Sequence, residues 1–258
     1  MDNTDLIKQW EAEENYAFQG WDFSHIAGRW GEHNPPWNYV TVVKQYLKDT
    51  DILLDMGTGG GEVLLSFNHP YENTYATEAY EPNFELCKKK LSPLGITVKR
   101  TFTDENFNAD DKIPFGNEMF DVIINRHESF DLNEVNRALK QGGYFITQQV
   151  GNMNAGEFIQ RLNDDFEVPR LPNHTVDNYT NSLEKLGFKI IEADEFQSPM
   201  KFNDVGALVF WAKVIVWEFP GFSVKTHLDK LFDYQKEIEE KGFIQGTGHH
   251  FYIVAKKA

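Results

Sequence analysis

Between residues 50 and 150, short apolar stretches of strand character alternate with segments of helical spacing. The strands are read at 52–56 (ILLDM), 74–78 (TYATE), 96–102 (ITVKRTF), 120–126 (FDVIINR) and 143–150 (GYFITQQV), with helices over 61–67, 82–91 and 132–139 between them. Strands joined through helices pair in parallel, because the crossover returns each strand to the same edge. The pattern therefore predicts an α/β protein with one doubly wound sheet. Helices are expected at 4–18, 37–47, 154–163, 175–186 and 224–241, with a sixth strand at 188–196 and a last one at 249–257. Residues 205–217 are almost wholly apolar and too short to span a bilayer, so they read as a buried helix.

The first strand runs into Asp55-Met56-Gly57-Thr58-Gly59-Gly60-Gly61-Glu62. Glycines at such a turn let the chain reverse tightly and present backbone N–H groups to a ligand at a helix N-terminus. A dinucleotide fingerprint would need glycine where Glu62 stands, and a phosphate-binding loop would need a lysine that is absent. Both nucleotide readings are weakened, and with them a nicotinamide-dependent oxidoreductase.

The segment resembles the D-x-G-x-G-x-G motif of class I S-adenosylmethionine-dependent methyltransferases, through Asp55, Gly57, Gly59 and Gly61. The resemblance covers residues 50–150 and implies S-adenosylmethionine as cofactor, a Rossmann-like fold and methyl transfer. It places Asp55 and the loop, with Thr58, near the amino acid portion, sugar and sulfonium. Glu78 closes the second strand 21 residues after Gly57, where a carboxylate accepts hydrogen bonds from both ribose hydroxyls, with Ala79 beside it. Asp104 is implied to meet the adenine amino group, and the backbone of Glu105 the ring. The whole chain, 1–258, is then expected to be a single methyltransferase domain. It would have an N-terminal helical lid (1–49), a cofactor-binding core (50–150) and a C-terminal part (151–258) carrying helical substrate-side elements. Its sheet would have seven strands, mostly parallel with the last antiparallel, and a helical insertion before that last strand.

At the carboxyl end of the fourth strand stands Asn125-Arg126-His127-Glu128. Ligands of open α/β sheets bind outside such strand ends, so Asn125 is expected at the cofactor and His127 and Glu128 at the reacting atoms. His127 has an ordinary pKa suited to taking a proton from an acceptor or orienting it. A loop histidine without that role is the competing reading. The aromatic, glycine- and proline-containing stretch around residues 18–37 offers Trp21 and Trp37 to the acceptor pocket and Arg29 to the cofactor carboxylate. Gln148 and Trp211 are further pocket candidates. Because the sulfonium donor is already activated, alignment is the main demand and no catalytic triad is expected.

A net charge of −15 argues against a partner held through a phosphate backbone, so the acceptor is expected to be a small molecule rather than nucleic acid. RNA- or protein-directed methylation and binding without turnover are the alternatives. The acidic, polar start and the lack of a long apolar run predict a cytoplasmic protein without membrane contact. Adjacent His249 and His250 point to opposite faces of a strand, so they are read as structural and no metal is expected. Nothing in the sequence specifies an oligomeric state.

Overall fold

The computed structural model describes residues 2–18, 22–103, 109–110, 112–163 and 171–258. Trp21, Asp104 and Glu105 lie outside the described residues. The strands are β1 (Trp30–Glu32), β2 (Leu53–Met56), β3 (Thr74–Glu78), β4 (Thr97–Arg100), β5 (Phe102–Thr103), β6 (Ala109–Asp110), β7 (Phe120–Arg126), β8 (Leu139–Val150), β9 (Phe188–Phe202) and β10 (Ile244–Lys257). The helices are α1 (Asn3–Glu14), α2 (Tyr39–Tyr46), α3 (Glu62–Ser66), α4 (Glu81–Leu91), α5 (Leu132–Ala138), α6 (Gly156–Leu162), α7 (Val176–Lys185), α8 (Val205–Val214) and α9 (Leu228–Lys241).

Eight strands form the main sheet in the order β1-β9-β10-β8-β7-β2-β3-β4, while β5 pairs with β6. The strands β4, β3, β2, β7 and β8 are parallel, and β10 is antiparallel to both β8 and β9. This is the expected doubly wound sheet with its antiparallel last strand, but with eight strands in place of seven. The additional strand, β1, comes from the stretch expected to be lid and pairs with Met200–Phe202. That edge exists because β9 and β10 run beyond residue 196 and back before residue 249. Pro199, Gly246 and Gly248 depress strand propensity there, so alternation alone hides the extension.

Apart from the exposed edge strand β4, the parallel strands are largely buried on both faces, as crossover helices require. Tyr39, Val42 and Val43 of α2 cover one face with Leu64, packing on Leu53, Val122, Ile146 and Val254. On the other face Val135 and Ala138 of α5 and Leu183 of α7 meet Phe145, Phe251 and Ile253. A third apolar cluster lies apart from both: α1, α6, α8 and α9 gather Trp10, Phe158, Phe210, Trp211 and Tyr234 over the long ends of β9 and β10. We refer to it as the cap. As expected, α8 is buried, from Val205 to Ala212. Helix α1 stops at Glu14, short of residue 18, because the Asn15 side chain donates to the Glu11 carbonyl and Tyr16 turns to stack on His25. Among the described residues, no helix is long and apolar enough to cross a membrane.

Candidate functional site

The glycine turn stands at the carboxyl end of β2, the central strand flanked by β3 and β7. Gly57, Gly59 and Gly61 all adopt positive φ, a conformation in which a Cβ meets the backbone. Gly61 (φ 78°) starts α3, and a Cβ there would stand 2.9 Å from the Leu91 side chain, so glycine also lets α3 approach α4. Thr58 donates its N–H to the Thr77 carbonyl (2.9 Å) and accepts from Gly61 N–H (3.0 Å), which ties the turn to β3.

Glu78 is 3% exposed and its carboxylate is held in place. It accepts from Gly59 N–H (2.7 Å), Ala79 N–H (3.0 Å) and Tyr80 N–H (2.9 Å). Burial raises the pKa of Glu78, while those three donors oppose the shift. Asp55 is buried as well. Burial pushes its carboxyl up to about 7, and the neighbouring charge of Glu78 adds to the shift. Two acids one strand apart thus enclose the turn.

Strand β7 ends in the expected cluster. Asn125 is fully buried: its side-chain oxygen accepts from Gln149 Nε2 (2.6 Å), its carbonyl accepts from the Tyr39 hydroxyl (3.1 Å), and its Nδ2 has no partner. His127 adopts φ 60°, a left-handed conformation unfavourable for a residue with a Cβ, and its N–H donates to the Gln148 carbonyl (2.9 Å). Such strain gathers at functional sites. The His127 Nε2 lies 3.2 Å from Gln148 Nε2, and Gln148 Oε1 accepts from Trp37 Nε1 (2.9 Å). Desolvation, with Arg126 and His250 nearby, pushes the His127 pKa down to about 3, so the ring is neutral at physiological pH.

The Glu128 side chain lies across the turn rather than beside His127. Its Cγ and Oε2 stand 2.5 and 2.7 Å from where a Cβ on Gly57 would be, so Gly57 is the residue that leaves room for it. Two expected residues sit elsewhere. Arg29 is taken up inside the cap, pairing with Glu13 (2.7 Å) and Asp204 (2.7 Å), which leaves its guanidinium occupied by protein carboxylates rather than a cofactor's. Trp211 is 4% exposed and packs against Phe202 and Phe219, so it builds the cap core rather than a pocket wall. A shallow cavity of about 250 Å³ lies on β9 and β10, lined in part by Glu157, Ser198 and Thr247, and includes none of the turn. Sequence reading missed Tyr39, whose apolar helical position conceals a hydroxyl aimed at Asn125. It also missed Glu32, whose contact with His250 spans 218 residues and leaves no local signal.

Residues 54–147, which run from the glycine turn to the end of the parallel sheet, match the methyltransferase domain family. That stretch therefore carries a methyltransferase domain, in agreement with the class I S-adenosylmethionine-dependent resemblance of its glycine turn. Solved structures share the methyltransferase fold at low identity. A protein from Bacillus halodurans C-125, provisionally named a methyltransferase, is 16% identical at TM-score 0.53, covering 84% of this chain and 96% of its own. The YcgJ protein from Bacillus subtilis is 15% identical at 0.53, covering 85% and 97%. A functionally unknown protein from Deinococcus radiodurans R1 is 11% identical at 0.55, covering 99% and 98%. No curated protein matches the chain.

The residues fit S-adenosylmethionine, the cofactor that the glycine motif implies. Among the described residues, nothing stands within 4 Å of a Cβ position at Gly59, and Asn125 offers a buried donor without a partner. Acids flank the turn in place of a lysine, which suits a cationic, phosphate-free ligand.

Proposed function

We propose that the methyltransferase alkylates a small-molecule acceptor at the carboxyl ends of β7 and β8. The observation that carries this reading is the strained, neutral His127, joined through Gln148 to Trp37 beside the glycine turn. When bound, S-adenosylmethionine supplies an electrophilic methyl group on a sulfonium. Asp55, Gly57, Thr58, Gly59, Gly61, Glu78, Ala79 and Asn125 hold it, with Glu78 gripping the ribose. Glu128, lying over Gly57, balances the positive charge of the cofactor. Trp37 and Gln148 border the acceptor, and His127 orients it by hydrogen bonding. A ring whose conjugate acid has a pKa near 3 is a poor proton acceptor, which favours orientation over base catalysis. The negative net charge supports an acceptor other than nucleic acid.

The test is calorimetry with S-adenosylhomocysteine, followed by transfer of labelled methyl to small metabolites, RNA and protein. Micromolar product binding and label in the metabolite fraction are expected. Label confined to RNA or protein would overturn the small-acceptor reading, and absence of binding would overturn the assignment of the site.

A further inference from the structure

We propose that Glu32 and His250 form a carboxylate–imidazole pair that takes the proton from an aromatic hydroxyl on the acceptor. The proposal rests on the acceptor site described above and names its base and substrate class.

Tyr252 of β10 is directly opposite Gln148 of β8, and His250, two residues away, shares their face of the sheet. Its ring lies 5.9 Å from that of His127, so β10 brings a second imidazole to the end of β7. The two rings differ in their partners. His127 meets an amide and stands near the Arg126 cation, whereas His250 Nε2 is 2.9 Å from Glu32 Oε1. A carboxylate only accepts, so in the neutral ring Nε2 carries the proton and Nδ1 the lone pair. Among the described residues that buried Nδ1 has no partner, and neither has the other oxygen of Glu32. Unpartnered polar atoms at this depth are costly, and two on adjoining groups are explained by a ligand that supplies the missing donor. The chain also makes room for the pair. A Cβ on Gly248 would stand 2.3 Å from Glu32 Oε2, so any larger residue there displaces the carboxylate.

Acceptor class follows from the neighbours. Trp37 and Tyr252, both half-buried, place their rings 4.9 Å apart at 47°, an apolar wall suited to a planar aromatic ligand. A phenolic hydroxyl is protonated at neutral pH and needs a base as it attacks. His250 Nδ1 takes the hydroxyl proton while an oxygen electron pair forms the bond to the methyl carbon. The carbon–sulfur pair returns to sulfur, converting sulfonium to thioether, and the Glu32 carboxylate balances the new imidazolium.

The experiment uses the full chain, S-adenosylhomocysteine and 4-nitrophenol, at a pH where the free phenol is neutral. The wild type should bind the phenol in ionised form, seen as the phenolate absorption band. His250→Gln and Glu32→Gln should each lower that band about tenfold while leaving S-adenosylhomocysteine affinity unchanged. With S-adenosylmethionine, the same variants should lose about 100-fold in kcat on phenol and far less on the more acidic 4-nitrophenol. Gly248→Ala, which shifts the carboxylate without changing charge, should reproduce the Glu32→Gln result. The pair is overturned if 4-nitrophenol fails to bind the product complex, binds as the neutral phenol, or keeps its band in the variants. Failure of S-adenosylhomocysteine itself to bind would count against the cofactor site instead.

Discussion

The parallel core and the cap are built on opposite principles. In the core, β2, β3 and β4 pair in chain order, as do β7 and β8, and the glycine turn and the His127 cluster fall at strand ends. In the cap, Trp10 near the start of the chain packs with Phe158, Trp211 and Tyr234 from three distant helices, on the ends of β9 and β10 that reach beyond the parallel strands. The core carries the methyltransferase match, which ends at residue 147, and the cap lies wholly outside it. The contrast teaches that the parallel core is held largely by local rules and the cap by long-range packing.

The largest expected effect tests whether the two regions are energetically separate. Truncating Trp211 to alanine empties a fully packed site in the cap and should cost about 3–5 kcal/mol, read by urea denaturation. S-adenosylhomocysteine affinity measured under native conditions should stay at the wild-type level. A parallel loss of affinity would break the comparison by showing that the core cannot form its site without the cap.

A second effect belongs to the core alone. The Asp55 carboxyl, ordinarily at 3.8 and pushed up to about 7, holds its proton more tightly folded than unfolded. Its stabilising contribution is therefore complete at pH values below the unfolded pKa and is lost as pH rises through the folded one. Across that window the wild type should lose on the order of 4 kcal/mol relative to Asp55→Asn, measured as the difference in the two stability–pH curves. Identical curves would show that this carboxyl is not desolvated by the turn.

The smallest effect is the most local. Glu78→Gln keeps an acceptor oxygen for the backbone donors of Gly59, Ala79 and Tyr80 but loses the charge proposed to grip the ribose. Affinity for S-adenosylhomocysteine should fall about tenfold, with the unfolding midpoint nearly unchanged. A large fall in stability with normal affinity would recast Glu78 as a loop brace.

Much of the core was legible from residue patterns. The alternation of its strands and helices, the turn from Asp55 to Gly61, Glu78 at one strand end and His127 at another all follow from pattern and spacing. Arg29 and Trp211 were misjudged for one reason: residue type shows that a side chain can bind an anion or an aromatic ring, but not which neighbour reaches it first. Glu13 and Asp204 claim the arginine, and the cap core claims the tryptophan. The strand ends around Pro199 and Gly248 were hidden because edge position and close packing override weak intrinsic propensity.

By itself, then, the sequence determined the doubly wound sheet and its glycine turn, because backbone conformation and crossover geometry depend on residues close together along the chain. Only the tertiary structure decided that β1 joins the sheet, that Glu128 covers Gly57, and that Glu32 meets His250 across 218 residues. Those contacts depend on how distant surfaces fill space together, a property of the packed whole that no local pattern encodes.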